Sequence, residues 1–487
     1  MARVSEIYEL EGNQGTFDFV DVHTDRDTPL FIDPAALRGL NDPWASECAS
    51  GIQGFFQRVL DQIVADNKNG ALTLMAHLNE DNSTHLGYSL RSKGSAVAQG
   101  LASELYDQLS NSKAARTGLI TDLEDTALLI AGIDVDRISD ITTNIIRQQL
   151  VQYTQSVCEF YNIPTVNNLA IGRYWNNHTG QWFQEAARLP VNNGPLLLVP
   201  KAIVRKKLHL DAGEYYTHYV LEYFKAAEIK AQSPLTFLLK GTGERSAYKK
   251  DVAQKQKELH NPDNPGIQKR INADATLRDP AVLENFKKKK AKEPSIYLTH
   301  REIADLTVTP PPDLKTLLQA VTEIAPGQSE ADNYERKIEA LLSTLFYPDL
   351  VNPQRQRIIH DGRKRIDIFY TNTAHSGFYE WLGKHHPAAN LVCECKNFGK
   401  AIKNPEFDQI TGRFSPSRGQ VGLLIYRGFA DKSDVLRRAR DAAKDSRGWV
   451  IPLDDSDLAL LVAEAETTGS ASAIGGLIHD RFNYLTN

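Results

Sequence analysis

Few folds can hold the segment NLVCECK, residues 390–396. In a β-strand successive side chains point to opposite faces, so Glu394 and Lys396 share one face while Cys393 and Cys395 share the other. Glutamate and lysine are poor strand formers and rarely face a core, so a strand that sets them two apart among apolar residues needs a polar centre on that face. Upstream, GRKRIDIFY (362–370) alternates in the same way, with Ile366 and Ile368 on one face and Asp367 on the other. If the two strands are neighbours, Asp367 and Glu394 converge, with Lys396 beside them.

The surrounding pattern supplies the elements such a pair requires. Tyr334, Ile338, Leu341, Leu342 and Leu345 recur at helical spacing and predict an amphipathic helix that ends near Pro348. Gln354 to Ile359, a turn at His360, Asp361 and Gly362, and Arg365 to Tyr370 predict a strand pair. Asn390 to Lys396 is a third strand. Asn404 and Pro405 are N-cap and first-turn signals for a helix that turns Phe407, Ile410 and Phe414 inward. Gln420 to Tyr426 is a continuous apolar run expected to form a buried strand, Asp434 to Lys444 a basic helix, and Trp449 to Leu453 a last strand. The expected order is αβββαβ with a further helix and strand.

GRKRIDIFY, CECK and FDQITGRF together resemble the PD-(D/E)XK nuclease superfamily, in particular its restriction endonuclease-like, modification-dependent branch. The resemblance covers about Tyr334 to Leu461, and αβββαβ is that superfamily's core. Ile366 stands where the family name has proline, which leaves the carboxylate of Asp367 intact. Residues 371–389 are longer than a tight hairpin and are expected to be an insertion with a short helix around Phe378 to Lys384. The resemblance implies a metal-dependent endonuclease that hydrolyses phosphodiester bonds, with DNA as the expected substrate. Hard cations such as Mg²⁺ or Mn²⁺ take carboxylate oxygens and keep positions open for water and phosphate. Asp367 and Glu394 are the expected ligands, and Lys396 the group that positions or helps deprotonate water. On the first helix Glu335 sits about 100° from Tyr334, at the rim of the apolar stripe, and family members of this type place a helix glutamate there as a metal ligand. Glu339, one turn on, is expected further toward solvent. The resemblance also implies that Gln409 orients water or phosphate. Arg413, an i+4 neighbour of Gln409, could hold a phosphate oxygen. Lys400 and Arg418 would meet the nucleic-acid backbone if they flank the cleft. The alternative from another class is a catalytically silent nuclease-fold module that binds nucleic acid or assembles with protein.

At 487 residues the chain is expected to be an α+β multidomain protein. Residues 1–240 read as a larger, α-rich α+β domain of unknown type for sensing, homo-oligomer formation or partner-protein binding. Residues 241–330 read as a basic linker with peripheral helices, and 331–487 as the nuclease domain. In the first part Phe17 to Val22 and Leu196 to Val199 are strand-like, and Ile52 to Val64 and Ile138 to Tyr161 are helical. Gly241 to His300 holds 13 lysines and arginines against 8 acidic residues, including the run Lys287 to Lys290, in a chain of net charge -5. Such a run is expected to be a solvated face. A mean hydropathy of -0.39 and no apolar stretch of membrane-spanning length predict no transmembrane helix. The amino terminus lacks a secretory pattern, so a cytoplasmic setting is expected. Four cysteines in a chain this long do not make a disulfide framework, and Cys393 and Cys395 lack zinc-knuckle spacing.

Three other features carry less. Asp21, His23, Asp25, Asp27 and Asp33 invite a metal reading but form no complete ligand set, and turn chemistry explains Asp27 and Asp33 beside prolines. LGYSLRSKGSAVAQG (86–100) matches neither a P-loop nor a dinucleotide fingerprint. Tyr174, Trp175 and Trp182 beside Arg173 could stack bases but are expected to be core.

Overall fold

The computed structural model describes residues 2–40, 42–79, 81–87, 98–293, 297–429 and 431–487. Most of the glycine-containing segment at 86–100 lies outside these.

The carboxy-terminal part is built on a five-stranded mixed sheet. Helix α5 (Ala331–Leu345) precedes strands β1 (Leu350–Ile359) and β2 (Lys364–Asn372). Helix α6 (Gly377–His385), strand β3 (Asn390–Lys396), helix α7 (Asn404–Thr411), strand β4 (Val421–Tyr426), helix α8 (Lys432–Lys444), strand β5 (Trp449–Asp454) and helix α9 (Asp455–Thr468) follow. The spatial order is β5-β4-β3-β2-β1. Strands β1, β2 and β3 pair antiparallel, whereas β3-β4 and β4-β5 are parallel and joined through α7 and α8. The element order read from the sequence is present, and α6 occupies the insertion.

Local chemistry explains these elements. Every residue of β4 is buried, as a parallel strand covered on both faces requires. Helix α5 buries Tyr334, Ile338, Leu341, Leu342 and Leu345 along one stripe, each fully buried apolar side chain contributing about 1.5–3 kcal/mol. The β1-β2 turn takes His360, Asp361 and Gly362 through φ values of 55°, 54° and 88°, the left-handed region that Asn, Asp and Gly tolerate best. Pro353 is admitted within β1 because β1 is an edge strand. Two boundaries differ from expectation. Lys403, not Asn404, is the N-cap of α7, its backbone N–H bonded to Glu406. Helix α7 ends at Thr411, so Arg413 lies in the following turn rather than one helical turn beyond Gln409.

The amino-terminal part is helix-rich and has its own large apolar core. Helix α1 (Pro43–Val64) is capped by Asp42, which accepts from the backbone of Trp44 and Ala45. It buries Ile52, Phe55, Phe56, Val59, Leu60 and Ile63. The single helix expected over 138–161 is two, α2 (Val135–Ile145) and α3 (Arg147–Tyr161), broken at Ile146, whose ψ of 15° leaves the helical region. The runs at 17–22 and 196–199 are buried but irregular, linked by contacts such as Val20 N to Val199 O (2.9 Å) rather than forming regular strands. Tyr174 and Trp175 are core, in a hairpin with residues 181–183, and Trp175 meets Phe55 edge-on. Asp33 caps the helix Pro34–Gly39, and Asp21 accepts from Ser5.

The basic stretch folds onto this first core. Val252, Ile271, Ala275, Val282, Leu283 and Phe286 all join it. In helix α4 (Ala281–Lys290), Lys287 bridges Asp122 and Asp125, and Lys290 pairs with Glu214 and Glu293. Half of the lysine run therefore ties helices together instead of facing water. The two cores also touch: Tyr347 and Val351 of the second part pack into the first. The backbone N–H of Asn352 donates to Asp18, and Asp42 accepts from Asn352 Nδ2 and Thr371 Oγ1. No helix among the described residues is long and apolar enough to cross a membrane.

Candidate active site

Asp367 and Glu394 come from adjacent strands. Paired register between β2 and β3 runs from Thr371↔Asn390 to Ile368↔Cys393. Ile366 and Ile368 lie in the core and Asp367 on the opposite face, as alternation dictates. Where the ladder stops, Asp367 Oδ2 accepts the backbone N–H of Cys395 at 2.9 Å, which locks the carboxylate beside β3.

Glu394 is fully buried. Its Oε2 accepts from Gln409 Nε2 at 2.8 Å and from Lys396 Nζ at 3.2 Å. Arg413 Nε approaches Oε1 at 3.5 Å without hydrogen-bonding geometry, so Oε1 is a buried oxygen with an ionic neighbour and no hydrogen bond. Burial raises the Glu394 carboxyl above its ordinary range, and the nearby charge of Asp367 raises it further.

Glu335 belongs to the same electrostatic neighbourhood. Burial, then the charge of Asp367, pushes it up to about 7. Its Oε1 is taken by Arg355 Nε at 3.1 Å, and Arg355 also binds Asp332. Glu339 does not lie toward solvent as expected. It is 2% exposed, accepts from Ser343 Oγ, and has Asp18 and Lys201 of the amino-terminal part among its charged neighbours. The helix face that would otherwise be wet is covered by that part of the chain.

Arg418 Nε donates to the carbonyl of Arg413 at 3.2 Å and so braces the turn that carries Arg413. Lys400 is exposed beside the Phe398 ring. Asp367, Glu394, Lys396, Gln409 and Arg413 are thus brought together, Glu335 adjoins them through Asp367, and Lys400 touches none of them. Sequence reasoning missed Arg355, the counter-ion of Glu335; its only signal was the QRQR run at 354–357.

No group of three His, Cys, Asp or Glu side chains suited to a metal ion occurs among the described residues. The donor set nonetheless fits a hard cation held by two carboxylates, Asp367 and Glu394. They are mutually repelling, and Glu394 retains an oxygen with no hydrogen bond. Mg²⁺ sites of this kind use one or two carboxylates and leave the remaining positions to water and phosphate.

A family profile described as a domain of unknown function, DUF8370, matches residues 9–211. No curated protein and no solved structure matches the chain. The DUF8370 match covers Asp18, Asp42, Phe160 and Lys201, all at or near the junction, and ends well before α5. Every residue of the candidate site therefore lies outside it.

Proposed function

We propose that residues 331–487 form a PD-(D/E)XK-type endonuclease that hydrolyses phosphodiester bonds of nucleic acid, with DNA as the expected substrate and Mg²⁺ or Mn²⁺ as cofactor. The observation that carries this reading is a buried glutamate set against an aspartate from the neighbouring strand, with an ammonium group and a carboxamide on one of its oxygens. The α5-β1-β2-β3-α7-β4 order supports it.

Asp367 and Glu394 would hold the cation, which when bound supplies charge neutralisation on the phosphate and acidifies a water molecule. Lys396, 7% exposed beside Glu394, offers protons to a phosphate oxygen or orients the attacking water. Gln409 fixes the rotamer of Glu394. Arg413, braced by Arg418, presents positive charge to the nucleic-acid backbone. Arg355 holds Oε1 of Glu335, so that oxygen becomes available to a further ligand role when Arg355 releases it. The DUF8370 region would act as the sensing or partner-binding part. A cytoplasmic effector role in bacterial anti-phage defence rests on fold-level analogy.

A second reading, a catalytically silent nuclease-fold module, is favoured by the absence of a three-ligand group among the described residues and by the Arg355–Glu335 pair. Nicking of supercoiled plasmid by the full chain in Mg²⁺ or Mn²⁺ separates the two. Nuclease action predicts metal-dependent nicking that Asp367→Ala and Lys396→Ala each reduce by at least ~100-fold. No cutting by the wild type, or cutting indifferent to both substitutions, would leave the silent module standing.

A further inference from the structure

A cleft of about 710 Å³ lies between the DUF8370 region and edge strand β1. That volume falls in the range of small-molecule sites. Its walls combine two chemistries. Phe160, at the end of α3, lies half-buried under the Arg355 guanidinium, 5.3 Å from the ring centroid. Trp44, in the first turn of α1, has its indole N–H committed to the Gln149 carbonyl, so toward the cleft it offers only apolar ring surface. Arg357 lies over the Phe369 ring at 4.0 Å, and among the described residues no hydrogen bond or ion pair satisfies its guanidinium. Burial disfavours its charged form, and the nearby charge of Asp42 offsets this only in part. The acidic residues on the wall are already engaged. Asp18 accepts from Tyr153 and Asn352, Asp42 from Thr371 and Asn352, Glu159 from Arg188, and Asp332 from Arg336 and Arg355.

A guanidinium whose N–H groups have no acceptor can take an anion's oxygens, and flat ring surfaces on the same cleft wall suit a planar group. One ligand class carries both. We propose that the cleft binds a nucleotide, its phosphate on Arg357 and Arg355 and its base against the Phe160 and Trp44 surfaces, and that binding draws Arg355 away from Glu335. The coupling half rests on the nuclease reading of Glu335; the binding half does not. Because Arg355 lines the cleft and also holds Glu335, occupancy on one side is linked to release on the other.

The test is calorimetric titration of the full-length protein in EDTA, where no cleavage occurs, with AMP, GMP, CMP, UMP and inorganic phosphate in turn. At least one mononucleotide is expected to bind more tightly than ~1 mM, and Arg357→Gln and Phe160→Leu each to weaken it at least ~10-fold. Both variants are conservative, and circular dichroism verifies their folding. No binding by any of the four, equal binding of phosphate alone, or binding unchanged in the variants overturns the site. Linkage further predicts that Glu335→Gln, which removes one of the two carboxylate charges on Arg355 and leaves Asp332 as the other, tightens nucleotide binding several-fold; unchanged or weaker binding overturns the coupling. A single-stranded octamer that competes for the site assigns the nucleotide to a substrate strand, and one that does not compete assigns it to a free effector. Failure of plasmid nicking leaves this binding result untouched, and failure of binding leaves the nuclease reading untouched.

Discussion

Gln409 Nε2 and Lys396 Nζ both donate to the same carboxylate oxygen of Glu394, Oε2, at 2.8 and 3.2 Å. The other oxygen is left facing Arg413 with no hydrogen bond. The carboxamide thereby decides which oxygen of Glu394 is committed and which is free.

Gln409→Leu keeps the volume and removes that donor. Single-turnover cleavage is expected to slow by about 10–100-fold, the usual effect of deleting a group that orients a metal ligand, with melting temperature nearly unchanged. An unaltered rate would remove Gln409 from the site.

Glu339 makes the cleaner pH prediction because neither Asp367 nor Glu394 is among the charges that shift it. Burial raises it from 4.5 to about 7. A raised carboxyl contributes stability that is fully present below pH 4.5 and is lost as pH climbs through 7. Lys201, lowered to about 8 by burial, contributes in the opposite sense: its share is present above the ordinary lysine value and lost as pH falls through 8. Between pH 5 and 7.5 the glutamate therefore dominates the difference between wild type and Glu339→Gln. Urea unfolding is expected to show the wild type losing up to about 3 kcal/mol more than the variant over this interval. Parallel curves would mean that Glu339 is not buried as described.

Asp42 serves two structures at once, capping α1 and accepting Thr371 Oγ1 and Asn352 Nδ2 from the second core. Asp42→Ala should cost about 1–3 kcal/mol through the lost cap and the stranded donors. Combined with Asp18→Ala, which strands Asn352 N, it should split a single calorimetric transition into two. A double variant that still melts in one unshifted transition would show that the two cores are not joined through these carboxylates.

The carboxy-terminal elements were legible because their burial is local and periodic. The alternation in NLVCECK assigned the faces of Glu394 and Lys396, and the stripe from Tyr334 to Leu345 located α5. What stayed hidden depends on contacts between distant parts of the chain. Helical periodicity describes one buried face of α5, yet the amino-terminal core covers a second, which is why Glu339 was misplaced. Arg355 was missed because Gln356 takes a φ of 50°, so simple alternation fails along β1, and because nothing local says that this edge strand lines a cleft. The break at Ile146 and the irregular runs at 17–22 and 196–199 show the same limit: their apolar patterns report burial, not regular backbone.

The central physical claim is that Asp367 and Glu394 share one divalent cation. Titration of metal-free protein with Mn²⁺, followed by the loss of the free-ion electron paramagnetic resonance signal, tests it without any substrate. The account predicts one site in the wild type that Asp367→Ala and Glu394→Gln each weaken by at least ~10-fold, while Lys396→Met leaves it in place. Mn²⁺ binding that is absent from the wild type, or equally strong in both carboxylate variants, would contradict it.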